Sequence, residues 1–453
     1  MNIIFIILVI LISIFVIRPI RRVLISSVIM KIMAKILPKM SETERLALEA
    51  GTVWFDGDLF SGKPDWQKFL DFKIKPLSDK EKKFLSGPVE DLCKMLNEWK
   101  ILQTKELPVE VWDFLKKNKF FGMIIPEEYG GLGFSAQMHS AVVAKLASRS
   151  TSTTVVAMVP NSLGPAELLL HYGTKEQKDY YLPRLASGEE IPCFGLTEPN
   201  AGSDAAAAKS HGIISKGIFN GKEVLGMRLT WEKRYITLAP VSTLIGLAFR
   251  LLDPDRLLGG NEDLGLTCAL IPTSIAGVEV GRRHDPMGAS FPNGPTTGQN
   301  VFVPLDFIIG GSKMTGRGWE MLMQSLAAGR SISLPSLSTG SCQRASRAVS
   351  AYGIVREQFN MAIGHFEGIE ELIGKMAGLT YLLNGARTLT AGAVDAGEKP
   401  SVISAIMKAY STEIERLVVN DAMDIHAGSG ICRGPKSALQ DAYAALPIGI
   451  TVE

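Results

Sequence analysis

The segment "CFGLTEPNAGSDAAAAK", residues 193–209, concentrates groups whose types and spacing could do chemistry. Thr197, Glu198 and Pro199 end an extended stretch; Asn200, Gly202, Ser203 and Asp204 then make a turn, and a run of alanines follows. Backbone N–H groups left open in a Gly/Ser turn, joined by a hydroxyl, form a nest for an anion such as a pyrophosphate. An ordinary surface loop of the same composition is the alternative reading. Other cofactor and catalytic signatures are missing. The glycine clusters "GGLGFS", "GRGWEM" and "GSGICR" fail the G-x-G-x-x-G spacing, and no phosphate loop, G-x-S-x-G elbow or H-E-x-x-H helix occurs. None of the six histidines begins an H-x-x-x-D pattern. Five scattered cysteines, with no C-x-x-C pair, argue against zinc or a disulfide framework and fit a reducing compartment. A net charge of +2 without a basic stripe argues against nucleic acid as a partner.

The elements that must position this turn follow from texture. Over residues 78–190 apolar residues recur at three- and four-residue spacing, as in "SDKEKKFLSGPVEDLCKMLNEW", where Ser78 and Glu81 form a capping box. "SAQMHSAVVAKLASRSTSTTVVAMVPNSLG" reads as a buried, small-residue helix that lets neighbours approach closely. Residues 191–312 are rich in Gly, Thr and Pro with short β-leaning runs, and from residue 313 to 453 helices return. Helices, strands, helices without βαβ alternation give an α+β fold: an N-terminal helical domain, a middle antiparallel β-domain and a C-terminal helical domain, with residues 41–77 as a linker.

Residues 1–40 stand apart. The apolar run "IIFIILVILISIFVI" (3–17) leads into "RPIRR", and six basic residues with no acid lie between Arg18 and Lys39. This pattern predicts a membrane anchor followed by a basic amphipathic segment on anionic lipid, with the body on the cytoplasmic side of the inner (cytoplasmic) membrane.

The turn "TEPNAGSD" also resembles the acyl-CoA dehydrogenase signature T-E-P-x-A-G-S-D. "FFGMIIPEEYGGLGFS" (120–135), "WEKRYIT" (231–237), "GRRHDPMGASFPNGPTTGQNVFVPLDFIIGG" and "DAMDIHAGSGI" resemble further signatures of that family in order, over residues 78–453. The likeness is to the large membrane-associated bacterial acyl-CoA dehydrogenases of fatty-acid β-oxidation. It implies an acyl-CoA dehydrogenase-like fold with a C-terminal four-helix bundle, FAD as cofactor, fatty acyl-CoA as substrate, an electron-transfer flavoprotein as acceptor and a homo-oligomer.

By motif position, Phe194, Leu196, Thr197, Gly202 and Ser203 line the FAD, with Thr197 at the pyrimidine edge and Ser203 at the phosphates and the substrate. Tyr235 stands where the family more often has Trp against the ring, followed by Ile236, and Thr237 falls near flavin N5. Tyr235 as plain β-core is the alternative. Arg356 matches an arginine that reaches the FAD of a neighbouring subunit; Glu367 replaces a usual Gln; Gly428 and Gly430 match a glycine turn near the adenosine; Arg330 matches a substrate-side arginine. His426 reads as a packing residue rather than a catalyst.

The reaction that the resemblance implies removes a weakly acidic proton α to a thioester while hydride leaves the β-carbon, which calls for a carboxylate in a dry pocket. One family position for that base is Gly329 here, which has no side chain; the other aligns with Glu453, the last residue of "ITVE". The expectation is a medium- or long-chain acyl-CoA dehydrogenase truncated at its catalytic residue. An oxygen-using oxidase and a non-catalytic acyl-CoA-binding or assembly protein are the competing readings.

Overall fold

The computed structural model describes the chain apart from Met1, Lys39, residues 41–44 and 46–48, Ala50, Leu163, Ala438 and Glu453, and gives backbone alone for Asn2 and residues 9–11 and 326–330. It divides into two units, Met1–Arg45 and Leu46–Glu453.

The first unit is helical: α1 (Asn2–Val16), α2 (Arg18–Arg21), a π turn (Arg22–Ser26) and α3 (Ser27–Ile36). Ile17 is extended ahead of Pro19, which breaks the helix. The apolar segment expected to anchor the chain, and to serve as a transmembrane helix, is therefore not one continuous helix. Among the described residues no single helix is long and apolar enough to cross a membrane; one pair, bent by 81° at this break, meets the length and composition.

In the second unit, residues 51–77 carry short helices α4 (Phe55–Phe60) and α5 (Trp66–Leu70), where the sequence predicts a linker. Thr52 ties this strap down, donating its hydroxyl to Glu398 at 2.7 Å and its N–H to the Lys399 carbonyl at 2.8 Å. Then come α6 (Asp79–Phe84), α7 (Glu90–Met95), α8 (Glu98–Thr104), α9 (Val109–Lys117), α10 (Ala136–Ala147), α11 (Thr151–Met158), α12 (Pro165–Tyr172) and α13 (Lys175–Ser187). The Ser78–Glu81 capping box is present, and Glu81 reaches on to the N–H of Ser135 at the start of α10. The C-terminal helices are α14 (Gly318–Val355), α15 (Glu367–Asp395), α16 (Ser401–His426), α17 (Gly428–Ile431) and α18 (Gln440–Thr451). The single small-residue helix expected over "SAQMHSAVVAKLASRSTSTTVVAMVPNSLG" is broken at the extended Ser150 into α10 and α11, and α10 is buried against α14. A side chain at Gly340 on α14 would collide with the Ala144 carbonyl, so glycine permits the close approach.

Between the helical parts lies a seven-stranded sheet: β1 (Pro192–Gly195), β2 (His211–Phe219), β3 (Lys222–Thr237), β4 (Leu244–Leu252), β5 (Asp263–Pro272), β6 (Val278–Val280) and β7 (Asn293–Pro304). The expected antiparallel domain is mixed instead. Both β1 and β2 run parallel to β4, β1 along Leu244–Leu247 and β2 along Arg250–Leu252. The reason is geometric: β1 and β2 share one edge of β4, and the chain leaves that edge after Gly195 and rejoins it at His211, heading the same way. Residues 196–210 are the excursion between two collinear strands.

Candidate active site

The excursion contains the turn singled out above, and its base is pinned from inside. Lys233, on β3, is 0% exposed and donates its ammonium to Glu198 Oε1 at 2.7 Å and to the Leu196 carbonyl at 3.0 Å. The Glu198 carboxylate also accepts the N–H groups of Lys209 at 2.6 Å and Ser210 at 3.0 Å, so one side chain joins both ends of the excursion. Burial pushes the Glu198 carboxyl up, but the hydrogen bonds from Lys233, Ser210 and Lys209 outweigh it and hold the pKa below the usual range. Burial lowers the Lys233 pKa against the pull of Glu198.

At the tip the arrangement reverses. Gly202 and Ser203 are exposed, and nothing would meet a side chain at Gly202. The backbone N–H groups of Asn200, Gly202 and Ser203 have no intramolecular acceptor among the described residues. A row of open donors on a fixed base fits an anion such as a flavin pyrophosphate. Thr197 is half-buried beside them, while Phe194 lays its ring over Gly246 on β4 and Leu196 packs against the helical cluster near α12.

Strand β3 delivers the second part of this cluster. The Arg234 N–H donates to the Thr197 carbonyl at 3.0 Å, which seats the strand against the loop. The pairing of β3 with β7 slips between Lys233 and Ile236, a bulge of one residue, and Tyr235 there has φ +62°. Without the bulge Tyr235 would share the inward face of Trp231 and Lys233; with it, the residue is 57% exposed. The plain β-core alternative is thereby excluded. Asn293 locks the bulge, donating its amide to the Tyr235 carbonyl at 3.0 Å and to the Thr237 hydroxyl oxygen at 3.3 Å. Its carbonyl is 2.8 Å from His284 Nδ1, and the His284 and Tyr235 rings lie 5.2 Å apart. Ile236 turns inward and is buried.

The remaining expected cofactor residues lie elsewhere. Arg356 is exposed, just past the C-terminus of α14, and its carbonyl accepts the Ile363 N–H at 2.8 Å. Glu367 is exposed at the first turn of α15. The Tyr352 ring near the end of α14 stacks on His426 at 4.1 Å, which brings Gly428 and Gly430 to this same end. The opposite end of α14 abuts β5, where Gly318 lies against Leu266 and Thr267, two strands from Gly195. A helix of 38 residues is about 57 Å long. Thr197, Ser203, Tyr235 and Thr237 thus form one cluster, and Arg356, Glu367, Gly428 and Gly430 another; Ile431, next to Gly430, lines a pocket with Met287–Ala289, a few residues past His284. The Arg330 side chain and Glu453 lie outside the described residues.

Three domain families match the chain in order: the acyl-CoA dehydrogenase N-terminal domain at residues 83–189, its middle domain at 193–301 and its C-terminal domain at 316–448. The chain belongs to the acyl-CoA dehydrogenase family. Protein HemX of Proteus mirabilis is 58% identical over 104 residues, 23% of this chain and 61% of that protein, so the chain spans less than two thirds of it. The 3-(aryl)acrylate reductase of Clostridium sporogenes is 32% identical over 342 residues, 74% of this chain and 84% of the reductase. Butyryl-CoA dehydrogenase from Megasphaera elsdenii shares the fold with a TM-score of 0.73 at 20% identity, covering 84% of this chain and 95% of its own.

Acyl-CoA dehydrogenases are FAD-dependent oxidoreductases, and the open donors of the 196–210 excursion are of the kind FAD requires. Three residues that hold this loop and bulge, Lys233, Asn293 and His284, escaped the sequence reading, as did the positioning role of Glu198. A signal for Lys233 was present: it alternates with Trp231 on the inward face of a strand, where a lysine needs a buried partner.

Proposed function

We propose that this chain carries out FAD-dependent α,β-dehydrogenation of medium- to long-chain fatty acyl-CoA, yielding trans-2-enoyl-CoA for fatty-acid β-oxidation. The observation that carries the reading is the pinned excursion, whose open N–H groups stand beside the bulge that offers Tyr235 and Thr237. When bound, FAD supplies a hydride acceptor at flavin N5. In this reading Glu453 takes the α-proton, its N–H polarises the thioester carbonyl, and Arg330 and Ser203 hold the substrate. The Thr237 oxygen accepts from Asn293, which leaves its own proton free to donate toward the flavin.

Two copies complete each site in this reading: Arg356, Glu367, Gly428 and Gly430 of one copy meet the Thr197 loop of another. Electrons pass on to an electron-transfer flavoprotein, and residues 1–40 hold the enzyme to lipid at the inner (cytoplasmic) membrane with its body in the cytoplasm.

Anaerobic titration of the purified holoprotein with octanoyl- and palmitoyl-CoA tests the chemistry. The expected result is bleaching of the flavin absorbance band with enoyl-CoA formed in equal amount. A flavin that binds and stays oxidised with both substrates would overturn the proposal, and hydrogen peroxide released in air would assign an oxidase instead.

A further inference from the structure

The N-terminal unit has a geometry that answers how it meets lipid. Helix α1 has 15 residues, about 22 Å long, short of the roughly 30 Å of a bilayer's hydrocarbon core. It carries no charge, and Ile3, Ile4, Phe5, Ile6, Ile7, Leu8, Ile12, Phe15 and Val16 are all exposed. At its end the chain turns by 81°. Arg21 fixes the elbow, donating from Nη1 to the Phe15 carbonyl at 3.2 Å, so a cation caps the end of the apolar helix. Arg18 and Arg22 sit at the same corner, and three guanidiniums there oppose deeper entry. Beyond the corner α3 is two-faced: at 100° per residue Ile29, Ile32, Met33 and Ile36 share one side, while Ser27, Lys31 and Lys35 share the other. The apolar side is exposed, and no acidic residue occurs anywhere from Asn2 to Leu37.

We infer that this unit is a one-leaflet membrane dock: α1 sinks into the acyl chains of a single leaflet, and α2 and α3 lie in the headgroup plane of an anionic phospholipid surface. The elbow then marks the level of the phosphates, with Arg18, Arg21 and Arg22 at the headgroups, Lys31 and Lys35 toward the aqueous side, and the apolar side of α3 turned inward. This rests on the lipid contact proposed above and not on the flavin chemistry.

The test uses the full chain mixed with preformed vesicles of phosphatidylcholine alone or phosphatidylcholine with phosphatidylglycerol, read by co-flotation. A second preparation, Ile3→Cys in a Cys432→Ser background, is probed with an impermeant maleimide trapped inside the vesicles. Expected are flotation with the phosphatidylglycerol vesicles, weaker by on the order of tenfold or more in Lys31→Gln/Lys35→Gln, and no labelling from the lumen. Labelling from the lumen would mean that α1 crosses and would overturn the one-leaflet geometry. Equal flotation with both vesicle types, or none, would overturn the anionic dock. Flavin bleaching by acyl-CoA on the same preparation reads the catalytic proposal separately, so the failure of one does not count against the other.

Discussion

The loop around Thr197 and the helix ends around Arg356 both carry residues expected to hold one cofactor, yet they are built on opposite plans. Around Thr197 the contacts converge from inside: a buried ammonium, a carboxylate with three donors, and an asparagine locking a bulge. Around Arg356 the side chains face outward. Arg356 and Glu367 are exposed, and between them a tight hairpin holds Phe359 91% exposed, with the Tyr352–His426 stack as support. The difference teaches that the first cluster is organised within one copy before any ligand arrives, whereas the second is an exposed surface whose side chains are not held from within. In the two-copy reading proposed above, a site divided in this way ties flavin binding to association.

The strongest way to break that contrast is Lys233→Met. It leaves Glu198 buried without its cation, and losing one partner of such a pair costs about 3–5 kcal/mol, read as a shift in the denaturant midpoint together with loss of flavin. The double variant Lys233→Met/Glu198→Leu should recover most of the stability but not the flavin, because the carboxylate that joins Lys209 and Ser210 to the loop is gone. At the other end Arg356→Ala should leave stability within about 0.5 kcal/mol. It should nonetheless weaken flavin binding by roughly ten- to a hundredfold, the scale of a charge-assisted hydrogen bond; isothermal titration of the apoprotein checks this. A large stability loss in Arg356→Ala would erase the distinction between the two ends.

The smallest expected effect is a pH dependence confined to the first cluster. Because the folded pKa of Glu198 is depressed, the stability it contributes is complete above its unfolded value of about 4.3 and is lost as pH falls through the lower folded value. Flavin release from the wild type should therefore steepen below about pH 4, and Glu198→Gln should lack that step while binding flavin more weakly at neutral pH. Fluorescence of released flavin across an acid titration measures both.

Much of this was legible in the sequence because local patterns carry it. The capping box at Ser78, the small-residue face of α10 and the turn at Gly202–Ser203 depend on neighbours a few residues away. What escaped depends on residues distant in the chain. Lys233 and Glu198 are 35 positions apart, and their pairing exists only because β3 runs beneath the loop. The exposure of Tyr235 hangs on one extra residue in a strand, which period-two alternation cannot reveal. The parallel pairing of β1 and β2 with β4 was hidden likewise, since short β-leaning runs do not say which edge they share. At the N-terminus the apolar run was plain, but the extended Ile17 and Pro19 end its helix at Val16.

The measurement that bears most directly on the divided site is subunit complementation. Ser203→Asp places a carboxylate where the phosphates would lie and disables the first cluster; Arg356→Ala disables the second. Each variant alone should bind little flavin, while oligomers refolded from an equal mixture should regain flavin absorbance and acyl-CoA-dependent bleaching, since a mixed pair holds one intact site. A mixture that stays as colourless as its parents, or an Arg356→Ala protein that binds flavin as the wild type does, would contradict the account.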